Sequence, residues 1–251
     1  MIPKTIHYCW FGKKSKNDLI NRCIESWKEF CPDFELKEWN ESNTQTYQNK
    51  FYKDAYRKKK YAFVADCVRA QALYEFGGVY LDTDMLLLKP IDVLLSNDFF
   101  TAYEVGDRAA YGLFGAIAGH RFLKQMKEFY DTTEFNEFSL PVITHTFKLY
   151  INKANLGEND RIFPPEYFYP LSYENKDEDY NQFITSNSYA VHLWGHSWND
   201  KEGKRFCFLI KGLKTVTIDY LFYGYSKQYF IRYFRGFSRQ LYYYVFKGKV
   251  K

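Results

Sequence analysis

The chain has 251 residues, 46% hydrophobic and 26% charged with no low-complexity tract, a globular composition able to bury a substantial core. No apolar run approaches the ~20 residues of a membrane-crossing helix, and "MIPKTIHYCWFG" enters a strand-like pattern at once, without the layout of a signal peptide. The net charge of +5 is uneven: residues 203–251 carry eleven Lys and Arg against one acid, Asp219, while the first 202 carry 24 basic and 29 acidic side chains, so body and tail are expected to do different work.

In chain order, "TIHYCWFG" predicts a buried strand ending at Gly12, and "NDLINRCIESWKEFCPDF" a helix with Leu19, Ile20, Cys23, Ile24 and Trp27 at helical spacing, stopped by Pro32. "FELKEW" predicts a second strand. "YAFVADCVRAQALYEFGG" predicts a helix closed by Gly77, and "VYLDTD" a strand directly after it. "FFTAYE" and "YGLFGAIAGH" read as strands, "RFLKQMKEFYD" as a helix and "RIFPPEYFYP" as an extended crossing segment. "YAVHLWGHSW" reads as a late strand running into a loop rich in His and Trp, and "NDKEGKR" separates body from tail. Alternation of strand and helix predicts an open, mostly parallel α/β sheet flanked by helices, which binds ligands beyond the carboxyl ends of its strands. Five scattered cysteines (Cys9, Cys23, Cys31, Cys67, Cys207), never spaced C-x-x-C, point to reduced thiols in a cytosol and away from structural zinc.

At the end of "GGVYLDTDMLLLKP" stand two acids where the pattern asks for apolar residues. On a strand Tyr80, Asp82 and Asp84 share one face. Two like charges this close need a cation or a shared proton; a solvated loop is the plain alternative. On the preceding helix Asp66 and Arg69 are three apart and share a face among Ala65, Cys67, Val68 and Ala70, so they read as a buried pair rather than a surface ion pair. Strand alternation would also place His192 and Trp194 together, and an imidazole beside two carboxylates would suit Mn²⁺ or Mg²⁺. No P-loop, G-x-G-x-x-G, G-x-S-x-G or H-E-x-x-H occurs. What remains is a carboxylate-held metal, Trp10 near the first strand end and an α/β sheet, a set suited to a nucleoside diphosphate.

"IPKTIHYCWFG", "YAFVADCVRAQALYEFGGVYLDTD" and "AVHLWGHSW", in this order and spacing, resemble glycosyltransferase family 32, the group with a DXD-containing sugar-binding region. The resemblance runs over about residues 1–200. It implies a GT-A fold, a nucleotide-sugar donor, Mn²⁺ and retention of anomeric configuration. Bacterial members of the family typically serve capsule, exopolysaccharide or lipopolysaccharide synthesis. By the resemblance Trp10 stacks on the donor base, Asp66 and Arg69 grip donor sugar hydroxyls, and Tyr80 lines the donor pocket. Asp82 meets the ribose and a metal-bound water, Asp84 binds the metal directly, and His192 and Trp194 close over the diphosphate. Relatives often read H-H-W-x-G-S-W, whereas this chain has Leu193 and His196 in place of the second His and the Gly, so either His192 or His196 meets the metal.

These readings divide the chain into a catalytic domain, 1–202, and a basic aromatic helical segment, 203–251. In "SKQYFIRYFRGFSRQLYYYVF", Gln228, Arg232, Arg235 and Arg239 fall in one helical stripe, opposite Phe230, Tyr233, Phe234, Phe237, Leu241 and Tyr244. That pattern predicts a helix lying in a membrane interface, with packing on the body as the plain alternative. The leading expectation is a hexosyl- or N-acetylhexosaminyltransferase at the inner face of the cell membrane. It would take a UDP-sugar, or even GDP-Man, and an acceptor on a polyprenyl diphosphate, with no nucleic acid partner. The other is a non-catalytic basic-aromatic module that binds membrane or nucleic acid.

Overall fold

The computed structural model describes residues 1–136, 141–195, 206–222 and 227–246. The chain divides into two units, one of Met1–Thr133 and Val142–Ser197, the other of Glu134–Pro141 and Trp198–Lys251. The expected boundary at 202 falls outside the described residues.

In the first unit, β1 (Thr5–Cys9) is followed by α1 (Asp18–Phe30) and β2 (Glu35–Trp39). α1 starts where the Asn17 side chain accepts the Ile20 N–H, and it buries Ile20, Cys23, Ile24 and Trp27, the spacing of one helical face. α2 (Lys50–Arg57), which has no counterpart in the sequence reading, precedes α3 (Tyr61–Phe76). α3 is buried along most of its circumference, and its alanines allow close packing. It ends at Gly77 and Gly78, with φ of 66° and 106°. A Cβ at Gly77 would stand 2.8 Å from the Ala118 nitrogen and one at Gly78 2.7 Å from the Thr5 oxygen, so the glycines let β3 (Gly78–Leu81) enter the sheet at once.

β4 (Met85–Leu87), β5 (Phe99–Val105), β6 (Arg108–Ala109) and β7 (Leu113–Ala116) follow, then α4 (Arg121–Thr132), α5 (Ile143–Thr146), β8 (Asp160–Phe163) and β9 (Ala190–His192). The main sheet runs β2-β1-β3-β7-β5-β6, with β8 also on β5. β1, β2, β3, β5 and β8 point one way, and β7 and β6 oppose them. This is the expected open, mostly parallel sheet flanked by helices. β4 and β9 form a small antiparallel pair. Two sequence expectations are corrected. "RIFPPEYFYP" starts inside β8, because Arg161, Ile162 and Phe163 pair with β5 before the prolines end the ladder. "YGLFGAIAGH" contributes only Leu113–Ala116 as strand.

The core is built from β1, β3, β4, α1 and β9 side chains, among them Ile6, Trp27, Val79, Leu81, Met85 and Val191. Trp27 Nε1 donates to the Met85 carbonyl at 2.8 Å, and the Leu87 N–H donates to Ser26 Oγ at 3.0 Å. α1 thereby fixes β4, whose first residue follows the acid pair. The free cysteines Cys9, Cys23, Cys31 and Cys67 are all buried.

The second unit contains α6 (Phe206–Phe222) and α7 (Lys227–Phe246). Both lie in the segment that the sequence predicts to be helical, although the sequence pattern assigns a face only to α7. Four residues join the helices, which makes them antiparallel neighbours. Val216 and Tyr233 are buried between them, flanked by Leu213, Phe230 and Phe237. Three residues of the expected aromatic face, Phe230, Tyr233 and Phe237, thus pack against α6. Among the described residues no helix is long and apolar enough to cross a membrane.

Candidate functional site

The acid pair lies where β3 ends. β3 stops at Leu81 and β4 starts at Met85, so Asp82, Thr83 and Asp84 make a turn rather than the expected strand continuation. Backbone bonds fix the turn: the Asp82 N–H donates to the Gly112 carbonyl at 2.7 Å, and the Met85 N–H to the Asp82 carbonyl at 2.9 Å. Strand alternation thus does not aim the two acids. The turn does, at the carboxyl edge of the sheet.

α3 brings Asp66 and Arg69 beneath this turn, both buried. Arg69 Nη2 stands 3.1 Å from Asp66 Oδ1 and 3.0 Å from Asp82 Oδ1, and Nη1 donates to the Tyr111 carbonyl at 2.9 Å. The guanidinium lies 4.3 Å from the Tyr80 ring centroid, and the Tyr80 hydroxyl donates to Asp82 Oδ1 at 3.2 Å. Tyr80, expected to line the donor pocket, is only 1% exposed and supports Asp82 from below. Arg69 is likewise occupied by protein partners.

Asp84 reaches in the other direction. Its Oδ1 lies 3.1 Å from His192 Nε2, and its Oδ2 accepts the Gly195 N–H at 2.8 Å. One oxygen of Asp82, one of Asp84 and one ring nitrogen of His192 lie within 4.8 Å of one another, the only such grouping of His, Cys, Asp and Glu among the described residues. His192 Nδ1 is buried with no hydrogen-bond partner. Two carboxylates and an imidazole form an oxygen-and-nitrogen donor set suited to Mn²⁺ or Mg²⁺, and an unused buried nitrogen fits a site made for a cation.

The electrostatics agree. Burial raises Asp66 to about 7 despite Arg69. Burial also raises Asp82, against Arg69 and with help from the Asp84 charge. Burial pushes Asp84 up as well, but His192 and the Gly195 N–H outweigh it and hold Asp84 at about 2. Burial lowers His192, while Asp84 and Asp82 more than reverse this and raise it. Three carboxylates therefore face one guanidinium and one imidazole.

Trp194 follows β9 with φ 52°, so a left-handed turn, not strand alternation, brings its ring to 4.0 Å from that of His192. Its Nε1 donates to the Leu171 carbonyl at 3.0 Å, and Tyr173 meets it edge-on. Trp10 lies just past β1 at the same edge of the sheet, half-buried, with its N–H given to the Lys14 carbonyl at 2.7 Å. His196 lies outside the described residues, as do Ser197 and Trp198.

Sequence reasoning missed two groups. Gly112 leaves room for the acids: a Cβ there would stand 3.0 Å from Asp82 Oδ2 and 3.2 Å from the Tyr169 oxygen. An isolated glycine in a strand-like run is a signal of such close approach. The Tyr169 hydroxyl accepts the Gly112 and Leu113 N–H groups at 3.0 and 3.1 Å, fixing the segment that holds Asp82 and Arg69. Nothing local in the sequence announces it.

With this geometry in place, comparison with known proteins is informative. Residues 17–101 match the glycosyltransferase sugar-binding region containing the DXD motif, and residues 117–205 match the alpha 1,4-glycosyltransferase conserved region. Both are regions of DXD-type glycosyltransferases. The first contains Asp66, Arg69, Tyr80, Asp82 and Asp84, and the second contains His192 and Trp194. Human alpha-1,4-N-acetylglucosaminyltransferase is 26% identical over 168 residues, 61% of this chain and 47% of that one. Human lactosylceramide 4-alpha-galactosyltransferase is 28% identical over 163 residues, 57% and 43%. The chain thus spans somewhat under half the length of these relatives. A crystal structure of a glycosyltransferase involved in glycosylation of the major capsid of PBCV-1 is similar at 14% identity and TM-score 0.46, over 76% of this chain and 94% of that one.

Proposed function

We propose that this glycosyltransferase region transfers a hexose or N-acetylhexosamine from a nucleotide sugar, most simply a UDP-sugar, to a saccharide acceptor with retention. The observation that carries the reading is the convergence of Asp82, Asp84 and His192 at the carboxyl edge of the sheet, within the DXD region. The two human relatives, an alpha-1,4- and a 4-alpha-transferase by name, support an α1,4 linkage.

Asp84 and His192 would hold Mn²⁺, with Mg²⁺ the other candidate, and Asp82 would reach it through water. The ion would supply positive charge against the departing diphosphate. Arg69, held by Asp66 and the Tyr111 carbonyl, keeps Asp82 in place and acts through it. Trp10 would stack on the base, and Trp194 would close the diphosphate side. Among the described residues no second carboxylate pair suggests a covalent glycosyl intermediate, and the departing phosphate oxygen is assigned the acceptor proton.

The basic tail supports a cellular setting: the inner face of a bacterial cell membrane, where an acceptor on a polyprenyl diphosphate would be extended during surface polysaccharide synthesis. A panel of UDP-Gal, UDP-Glc, UDP-GlcNAc, UDP-GalNAc and GDP-Man, assayed for hydrolysis with and without Mn²⁺, tests the chemistry. One donor should be cleaved in a metal-dependent way, and no cleavage of any donor would end the proposal. Trp10→Ala should weaken nucleotide binding by about 1–3 kcal/mol in calorimetry; unchanged affinity would refute the stacking role.

A further inference from the structure

The hairpin of α6 and α7 has a side that its own packing leaves uncovered. Along α6, Ile210, Lys214, Ile218 and Leu221 recur at helical spacing, and Ile210, Ile218, Leu221 and the terminal Phe222 are 50%, 37%, 62% and 76% exposed. Along α7, Ile231, Phe234 and Tyr242 share a face and are 39%, 47% and 55% exposed. At ~100° per residue, each stripe is rotated from its helix's inward line by roughly 110–120° in the same sense. Antiparallel helices turn equal rotations toward one side, so both stripes lie on the same side of the hairpin. Lys214 and Lys227 fall within the stripes, and on α7 Arg235 lies ~20° and Arg239 ~60° past Tyr242, flanking the stripe on the edge turned away from α6, all exposed.

We propose that this side is a docking surface for an anionic lipid bilayer. Ile210, Ile218, Leu221, Phe222, Ile231 and Phe234 enter the boundary between headgroups and acyl chains. The four cations meet lipid phosphates, their stems lying along the apolar surface. Charge favours this occupant over a second copy, because a segment with eleven cations and one acid repels its own kind. The apolar stripe favours it over nucleic acid, whose phosphates would leave these side chains wet. The membrane setting proposed above rests on this surface, whereas the transfer chemistry does not.

The test is co-sedimentation of the full chain at low salt with vesicles of phosphatidylglycerol and phosphatidylcholine, and of phosphatidylcholine alone. The protein should pellet with the anionic vesicles only. Ile218→Asp with Leu221→Asp should weaken this on the order of tenfold or more, as should Arg235→Glu with Arg239→Glu, with helical circular dichroism and Mn²⁺-dependent UDP-sugar hydrolysis kept. Protein left in the supernatant overturns the proposal. So does equal binding by Ile218→Asp/Leu221→Asp, or light scattering that shows a dimer which this pair of substitutions dissociates. Vesicle binding by the wild-type chain with no nucleotide sugar hydrolysed would count against the transferase reading alone.

Discussion

The main sheet has a buried ionic cluster at each end, and the two are balanced differently. At the end away from the acid turn, Asp160 is 3% exposed and fully answered: Oδ1 meets His120 Nε2 at 2.9 Å, and Oδ2 meets Arg121 Nη2 at 3.0 Å and the Gly157 N–H at 2.8 Å. Burial raises this carboxyl, but the Gly157 N–H, Arg121 and His120 outweigh it and hold it below the ordinary carboxylate range. At the DXD end, three acids share one guanidinium and one imidazole, and two of the acids are pushed up. Buried charge alone does not mark a functional site. Charge left unanswered by the protein does, because only a ligand completes it.

Substitutions should therefore separate activity at one end from stability at the other. The largest effect is expected for Asp84→Ala, which should cut metal-dependent donor hydrolysis about a thousandfold or more, some 4 kcal/mol. The fold should stay intact by circular dichroism, with some loss of melting temperature because His192 and the Gly195 N–H lose their acceptor. Near wild-type turnover by the folded variant would erase the distinction between the two ends. Asp160→Ala should do the reverse. It leaves the buried His120 ring and the Gly157 N–H without their acceptor, so urea denaturation should show a loss of about 1–3 kcal/mol, with turnover per folded molecule kept.

An effect of similar size tests a buried ring that, like Asp160, has all its partners. His7 Nε2 pairs with the Gly77 carbonyl at 2.9 Å, and its Nδ1 accepts the Trp39 N–H at 3.0 Å, so the ring is neutral with its proton on Nε2. Burial lowers it from 6.5 to about 4. Between those values the unfolded chain binds a proton that the folded chain does not. Stability should thus fall as pH drops from 6.5 toward 4, by up to about 3 kcal/mol. Imidazole NMR shifts showing His7 charged at pH 6 would contradict this. The last effect is the metal's own: Mn²⁺ at a hundredfold excess over its Kd should stabilise the fold by about 2.7 kcal/mol. A thermal shift should show this in wild type and Asp160→Ala, and not in Asp84→Ala.

The sequence revealed elements with strong periodicity and punctuation, such as α1 with its stop at Pro32 and α3 with its close at Gly77. It also marked the residues of the site, because Asp66, Arg69, Asp82, Asp84 and His192 are charged or titratable groups set in apolar runs. It did not reveal how they meet. Asp82 and Asp84 were expected side by side on a strand, and His192 with Trp194 likewise. Both pairs are instead placed by turns, which residue alternation cannot express. Arg69 and Tyr80 read as donor contacts, and only packing shows them under Asp82. α6 carries no marked amphipathic signal, so its pairing with α7, which covers Tyr233, was invisible without the fold.

One bond pattern bears on how such a site drifts over generations. Asp84 grips the segment after β9 through main-chain groups: the Leu193 N–H donates to its carbonyl at 3.0 Å and the Gly195 N–H to its carboxylate. Neither bond depends on what side chain stands at 193. A lineage can therefore exchange the side chain at 193 and still keep the segment in register against the acid turn. The main chain acts as the heritable frame of this segment, whatever side chain stands at 193.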